Sequence, residues 1–531
     1  MRWLTFAALV LTGIAAFIFL REDPGAYTPS DLSDLYAHPE SPVTILDISA
    51  LEPDVTIERD LPVIARDGTR LSANVFRPNG DGPYPVVMML TAYHKDEGPI
   101  RYPDILRNHL NPDFTLGPIA VSPWTPWEGP DPAFWVERGY AVVTLDSRGF
   151  GKSEGVAGVL TLQDRADFHD AITWAGTQSW SNGRVGLTGV SYLAIAQWVA
   201  GSSAPEHLHA IMPWEGQSDN YREVLFHGGI PETAFTAFWL DRVRRKANEA
   251  SLPPGPIVSF AGKRPMLMKW VQDNIVDPSG IALEEITVPA LIAASWSDHG
   301  LHSRGSFEGF KKISSTQKWL YTHGRSKWPV YYSDEAREVQ VAFFDHFLKG
   351  EDNGFDDTPP VRIEVREDLE TYSLRFAGDW PLPETEYQPL YLTASGTLGE
   401  DLSAAAETRA YDALTGAAAF RHTFAEDTEL TGNMKLKLWV EADGARDMDL
   451  FVAIKKYDAQ GQEVTFYAKA GYTRAPVALG WLRVSQRALD PALSTPAQPV
   501  LTHANRQPLS RGEIVPVEIE ILPSSTLFRA G

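Results

Sequence analysis

Residues Val185 to Ala194 read VGLTGVSYLA. An apolar run suited to a buried strand leads through Gly189 and Ser191 into Tyr192–Ala200, a run of helical character. A serine on a sharp strand-to-helix turn is how open α/β sheets present a nucleophile at their carboxyl edge, and the pattern G-x-S-x-G marks it. Half of that pattern is present: Gly189 stands two before Ser191, but Leu193 stands two after it. A Gly-x-Ser triplet also recurs in ordinary tight turns, so the flanking sequence has to decide.

Working outward, Leu71–Phe76, Val86–Leu90, Ala141–Leu145, Val185–Thr188 and Ala290–Ala294 are short apolar runs, while Asp164–Gly176 has helical spacing. Strands that are apolar throughout and alternate with helices predict a mostly parallel sheet covered on both faces. Between 219 and 285 the strand runs stop and the pattern turns helical, with Phe235–Val243 and Met266–Val271 as its apolar segments. An insertion there would lie over the carboxyl ends of the strands as a cap. Asp352–Pro360 reads as a linker. Beyond it the alternating runs Lys435–Val440, Leu450–Ile454 and Val515–Ile521 predict an all-β sandwich. The expected organisation is therefore a sheet domain over 61–218 and 286–350, a helical cap over 219–285 and a β-sandwich over 361–531. Residues 24–60, rich in Pro, Ser and Asp, are expected to be a tether.

A chain of 531 residues exceeds a single ordinary core. A formal charge of −22 without a compensating Lys/Arg cluster repels a phosphate backbone and excludes nucleic-acid binding. The absence of cysteine removes disulfides, thiolate catalysis and cysteine-based metal sites together. Trp3 to Leu20 carries no charge and stands between Arg2 and Arg21-Glu22-Asp23. Residues 1–23 are thus expected to be a signal peptide or membrane anchor, and the body to be exported, either membrane-anchored or periplasmic or extracellular.

Two tempting sites fail on their own terms. Arg148-Gly149-Phe150-Gly151-Lys152-Ser153 ends like a phosphate-binding loop, but Asp146 occupies the position of the required first glycine. Asp298-His299-Gly300-Leu301-His302 clusters metal-ligand types, yet no partner motif stands elsewhere to complete a coordination shell. Asp298 has a different interest, because it follows a core strand at the sheet's carboxyl end. A catalytic serine needs a base within hydrogen-bond reach and a carboxylate to orient that base. In sheet-based hydrolases the chain order is Ser, then Asp, then His. Ser191, Asp298 and His323 follow that order, His323 closing another short apolar strand in Trp319–Gly324.

Several separated stretches carry a resemblance. Ala65-Arg66-Asp67-Gly68, Arg77-Pro78 and Tyr84-Pro85 are followed by Asp146–Gly155 (DSRGFGKSEG), which matches D-x-R-G-x-G-x-S-x-G. Asp170, Trp174, Gln178-Ser179-Trp180 and Gly183 then lead into Gly189-Val190-Ser191-Tyr192. From Leu61 to its end the chain resembles the serine hydrolase family that contains cocaine esterase, the glutaryl acylases and the Xaa-Pro dipeptidyl-peptidases. The resemblance implies an α/β-hydrolase sheet with a helical cap insertion followed by a jelly-roll, whose clearest matches are Asp447–Leu450 and Gly480–Arg483. It implies Ser191 as nucleophile, Asp298 as orienting acid and His323 as base. It also implies an oxyanion hole made by the Tyr93 hydroxyl and the Tyr192 N–H, and acyl transfer without metal or organic cofactor. The implied substrate is an ester, an amide or a short peptide, and a dipeptide's amine would need a carboxylate such as Glu215, Asp219 or Glu223. Two departures stand out. Ala194 replaces a usual glycine, and Leu527–Gly531 ends where relatives continue, so that an edge strand is expected to be missing or the chain truncated. The alternative is a non-catalytic surface binding protein that uses its β-sandwich, which would require a broken catalytic element.

Overall fold

The computed structural model describes residues 43–99, 117–233, 235–248, 281–402, 406–468 and 473–531. The apolar stretch Trp3–Leu20 and the expected cap segment Met266–Val271 lie outside these residues. Among the described residues the first strands of the main sheet are β1 (Val55–Ile64), β2 (Arg70–Pro78), β3 (Tyr84–Thr91) and β4 (Ala141–Asp146). They are followed by β5 (Ser181–Val190), β6 (Leu208–Trp214), β7 (Ala290–Ser295) and β8 (Lys318–His323). Their spatial order is β1-β2-β4-β3-β5-β6-β7-β8. β2 runs antiparallel to β1 and β4, and the remaining neighbours are parallel. Every residue of β4 and β7 is buried, as expected of strands covered on both faces.

The covering helices include α1 (Pro132–Val136), α2 (Leu162–Gly176), α3 (Tyr192–Gly201), α4 (Phe235–Lys246), α5 (Ser303–Lys312), α6 (Lys327–Tyr331) and α7 (Asp334–Phe344). Sequence signals set their starts. Thr161 and Asp164 form a reciprocal capping box on α2, and the side chains of Asp131 and Ser333 cap α1 and α7. The five apolar runs expected as strands all fall within strands, and both helical runs within α2 and α3. None of the described helices is long and apolar enough to cross a membrane.

The sheet does not end where a domain boundary is expected. β9 (Val361–Arg366) pairs in parallel with β8, and β10 (Tyr372–Ala377) pairs antiparallel with β9. The β-rich part continues through β11 (Thr428–Val440), β12 (Asp449–Ile454), β13 (Ala478–Arg483) and β14 (Val515–Phe528). β14 joins β9 at Arg366 and Thr526 and carries β11 and β13 on its flanks. Apolar alternation becomes a core here: Leu438 pairs with Val517 and Leu436 with Ile519, over Leu482 and Val484. The Asp352–Pro360 linker is packed rather than loose, because Phe355 lies buried against Trp319 (4.9 Å) and Phe343 (5.4 Å).

The tether expected over 24–60 also needs correction at its C-terminal end. Val43–Ile45 pairs with Ile119–Val121, and β1 starts at Val55, before the expected Leu61. The alternation is hidden by a register shift between Glu58 and Leu61, where Asp60 takes φ 57°. Its carboxylate is held there by Lys95 at 2.7 Å and Lys152 at 2.6 Å.

Candidate active site

The turn that closes β5 puts Ser191 at φ 62° and ψ −116°, in a region non-glycine residues rarely adopt. Two neighbours permit it. Gly189 sits at φ 140°, and a Cβ there would lie 2.6 Å from the Leu193 side chain. The Ser191 N–H donates to the Trp214 carbonyl at 3.0 Å, tying the elbow to β6. Ala194, the departure from the family pattern, fits because Gly216 faces it: a Cβ on Gly216 would come within 3.0 Å of the alanine Cβ and 2.9 Å of Trp198 Nε1. Gly216→Ala is therefore expected to lower stability by about 1–3 kcal/mol through overpacking, read as a lower denaturation midpoint.

The histidine beside Ser191 is His302, with Nε2 3.3 Å from Ser191 Oγ. Its Nδ1 makes a short contact with Asp298 Oδ2. The pairing is local in origin. After β7 the chain turns tightly, with the N–H groups of Leu301, His302 and Ser303 pointing at the Asp298 carbonyl, and Ser303 Oγ donating to the Ser295 carbonyl at 2.7 Å. This turn sets acid and base side by side, four residues apart, just ahead of α5. Both are almost fully buried.

Lys327, at the start of α6, donates to Asp298 Oδ2 at 2.7 Å. Burial by itself would raise the Asp298 pKa, but the charges of Lys327 and His302 outweigh it and hold the carboxyl well below the usual carboxylate range. Two further acids stand close by. Glu215, at φ 56° just beyond β6, is pushed well above its ordinary value by burial, and Glu128 is pushed by burial to about 8. Asp298 thus keeps its charge while its two neighbours take up protons.

His323 is not brought to Ser191. It closes β8 with its ring fully buried, stacked near Trp214 and with Nε2 2.9 Å from Glu215 Oε1. Burial lowers its pKa to about 3, which keeps the ring neutral at neutral pH. The residue expected as base is the histidine at a strand end, and His302 enters from sequence only as a metal candidate. The signal that finds it is Asp-x-x-x-His in the turn after a core strand, which sets acid and base side by side. The metal reading is opposed by the same geometry. Glu215, Asp298 and His302 do converge within 4.8 Å, but the Lys327 ammonium already contacts Asp298 and lies 3.1 Å from His302 Nδ1. A divalent ion there would face a fixed positive charge.

The two oxyanion candidates are adjacent. Tyr192 is the first residue of α3, whose leading N–H groups have no acceptor within the helix. Tyr93 follows β3, and its ring lies 5.5 Å from that of Tyr192. Helix α4 pins it twice: Trp239 Nε1 donates to the Tyr93 hydroxyl at 2.9 Å, and Lys246 Nζ donates to its carbonyl at 2.9 Å. A phenolic hydroxyl that accepts from an indole is still a donor through its own proton. The glycine-rich loop after β4 folds on itself, with Asp146 accepting from the N–H of Lys152 and Arg148 paired to Asp167.

The chain is similar to known hydrolases over most of its length. Residues 67–325 match the family described as X-Pro dipeptidyl-peptidase (S15 family), and residues 353–531 match the X-Pro dipeptidyl-peptidase C-terminal non-catalytic domain. Cocaine esterase of Rhodococcus sp. (strain MB1 Bresler) is 30% identical over 419 residues, covering 67% of this chain and 68% of that protein. A solved CocE/NonD family hydrolase from Staphylococcus aureus is 44% identical, with a TM-score of 0.83 over 90% of this chain and 84% of its own. An α-amino acid ester hydrolase, 18% identical, shares the fold with a TM-score of 0.65 over 95% of this chain and 91% of its own.

Proposed function

The chain belongs to the S15 X-Pro dipeptidyl-peptidase family of serine hydrolases, together with cocaine esterase, and from that premise we propose that it cleaves carboxylic esters through an acyl-enzyme on Ser191. The hydrogen-bonded chain from Ser191 Oγ through His302 to Asp298 carries this reading. His302 Nε2 takes the hydroxyl proton as Oγ attacks the acyl carbon, and Asp298 holds the ring so that Nε2 faces the serine. The developing oxyanion is met by the Tyr93 hydroxyl and the Tyr192 N–H. His302 then passes its proton to the departing alkoxide, and water attacks the acyl carbon by the same route reversed. An intact chain of this kind opposes the binding-only alternative.

The choice of ester over Xaa-Pro peptide rests on the acids near the site. A free dipeptide ammonium needs an anionic partner. Asp219 is engaged by Arg222, and Glu223 by Arg304 and by the N–H groups of Ser218 and Asp219, while burial favours the protonated form of Glu215. Side-by-side turnover of short-chain aryl esters and Xaa-Pro aryl amides tests this. We expect kcat/KM for the best ester to exceed that for the best amide by at least about 100-fold. Comparable values would move the assignment to a peptidase. We further propose export, with residues 3–20 as signal or anchor. Finding the unprocessed chain in the cytosolic fraction of its native host would reject that.

A further inference from the structure

Lys327 is a charged group for which the reaction above has no explicit role. It is 7% exposed, with Nζ 2.7 Å from Asp298 Oδ2, 3.1 Å from His302 Nδ1 and 5.3 Å from the centre of the Trp328 ring. The ionisable groups that face it come from four elements. They are Asp298 in the turn after β7, His302 at the start of α5, Glu215 beyond β6 and Glu128 in the segment before α1. Three carboxylates thus surround one ammonium and one imidazole.

Buried charges persist only when paired, so this cluster settles with a single ionised carboxylate matched to the lysine. Asp298 is the carboxylate in direct contact with Nζ. Burial alone would lower the Lys327 pKa, but the acids around it, Asp298 first, hold it above its ordinary value. A permanent cation beside the imidazole also disfavours a second positive charge on that ring.

We propose that Lys327 is a positioning residue for the triad: a fixed fourth member that pins Asp298 as the anion and, from 3.1 Å, keeps His302 in its neutral, proton-accepting form into mildly acidic solution. This rests on the Ser191–His302–Asp298 reading of the site.

The pH profile of kcat/KM on an aryl ester tests it with two substitutions. Lys327→Gln keeps a hydrogen-bond donor at the position but removes the charge, and Lys327→Arg keeps the charge. The acidic limb of Lys327→Gln is expected to move to higher pH by at least about one unit, a tenfold loss at acidic pH, while that of Lys327→Arg stays within about 0.3 unit of the parent. A Lys327→Gln limb that stays in place or moves to lower pH overturns the proposal, as does a Lys327→Arg limb that moves equally far. Should Lys327→Gln not fold, Lys327→Met, which keeps the length of the side chain without its charge or a polar group to bury, carries the same test against Lys327→Arg. Activity that survives His302→Ala would overturn the triad reading and this proposal together; strict dependence on His302 with an unmoved limb overturns this proposal alone.

Discussion

His302→Ala is expected to lower kcat/KM by roughly 10⁴- to 10⁶-fold, whereas His323→Gln should retain kcat/KM within about tenfold of the parent. The contrast follows from where the two rings sit. His302 Nε2 is the nitrogen 3.3 Å from Ser191 Oγ, and its other nitrogen contacts the ionised Asp298. His323 is sealed below the site against Glu215 and Trp214. Loss of His323 should appear instead in stability, by about 1–3 kcal/mol, as Glu215 loses its neighbour. It should also change the acid dependence of folding. The folded-state pKa of His323 is about 3, below the ordinary 6.5, so the unfolded chain binds a proton there that the folded chain does not. The parent therefore loses stability from this residue as pH falls from about 6.5 towards 3, and a denaturation series on His323→Gln should show a shallower fall over that window. Two histidine variants with equal residual activity would contradict the assignment.

Tyr93→Phe carries the second large effect. If its hydroxyl meets the oxyanion, the substitution should lower kcat by roughly 10²- to 10³-fold, or about 2.7–4 kcal/mol, with little change in KM, because the bond strengthens mainly in the transition state. The ring should stay in place between Tyr192 and Trp239 of α4. The Trp239 indole, half-buried, loses its acceptor and turns to water, so the stability cost should stay near about 1 kcal/mol. A Trp239→Phe control separates the two roles of the hydroxyl. It removes the indole donor but leaves the tyrosine proton, and should lower kcat by less than about tenfold. A Tyr93→Phe variant with the parent's kcat would remove the residue from the mechanism.

Much of the sheet was legible because burial on both faces leaves an unmistakable record: strands such as Ala141–Asp146 and Ala290–Ser295 have no position that tolerates a polar side chain facing solvent. The elbow was legible through Gly189 and Ser191, and the position of Asp298 through its place after β7. What local pattern could not convey was sheet continuity. Asp352–Pro360 has linker composition, yet Phe355 is seated in an aromatic cluster, and the strand that follows it pairs with β8. The histidine that lies beside Ser191 escaped the sequence for a related reason. His302 and His323 both follow Asp298 and both lie by the carboxyl edge, so chain order cannot separate them. Only the turn that folds Asp298 back over four residues, and the acids that enclose His323, do so. Lys327 gave no signal, since a lysine's burial depends on carboxylates gathered from distant segments.

The central claim is that Ser191 is the acylated nucleophile and that His302 activates it. Mass-spectrometric mapping of a fluorophosphonate adduct, in the parent and in the His302→Ala and His323→Gln variants at matched folded fraction, tests it most directly. The account predicts a single adduct on Ser191, formed at similar rates in the parent and His323→Gln and slowed at least about a thousandfold in His302→Ala. An adduct on another residue, or labelling that depends on His323 and not on His302, would contradict it.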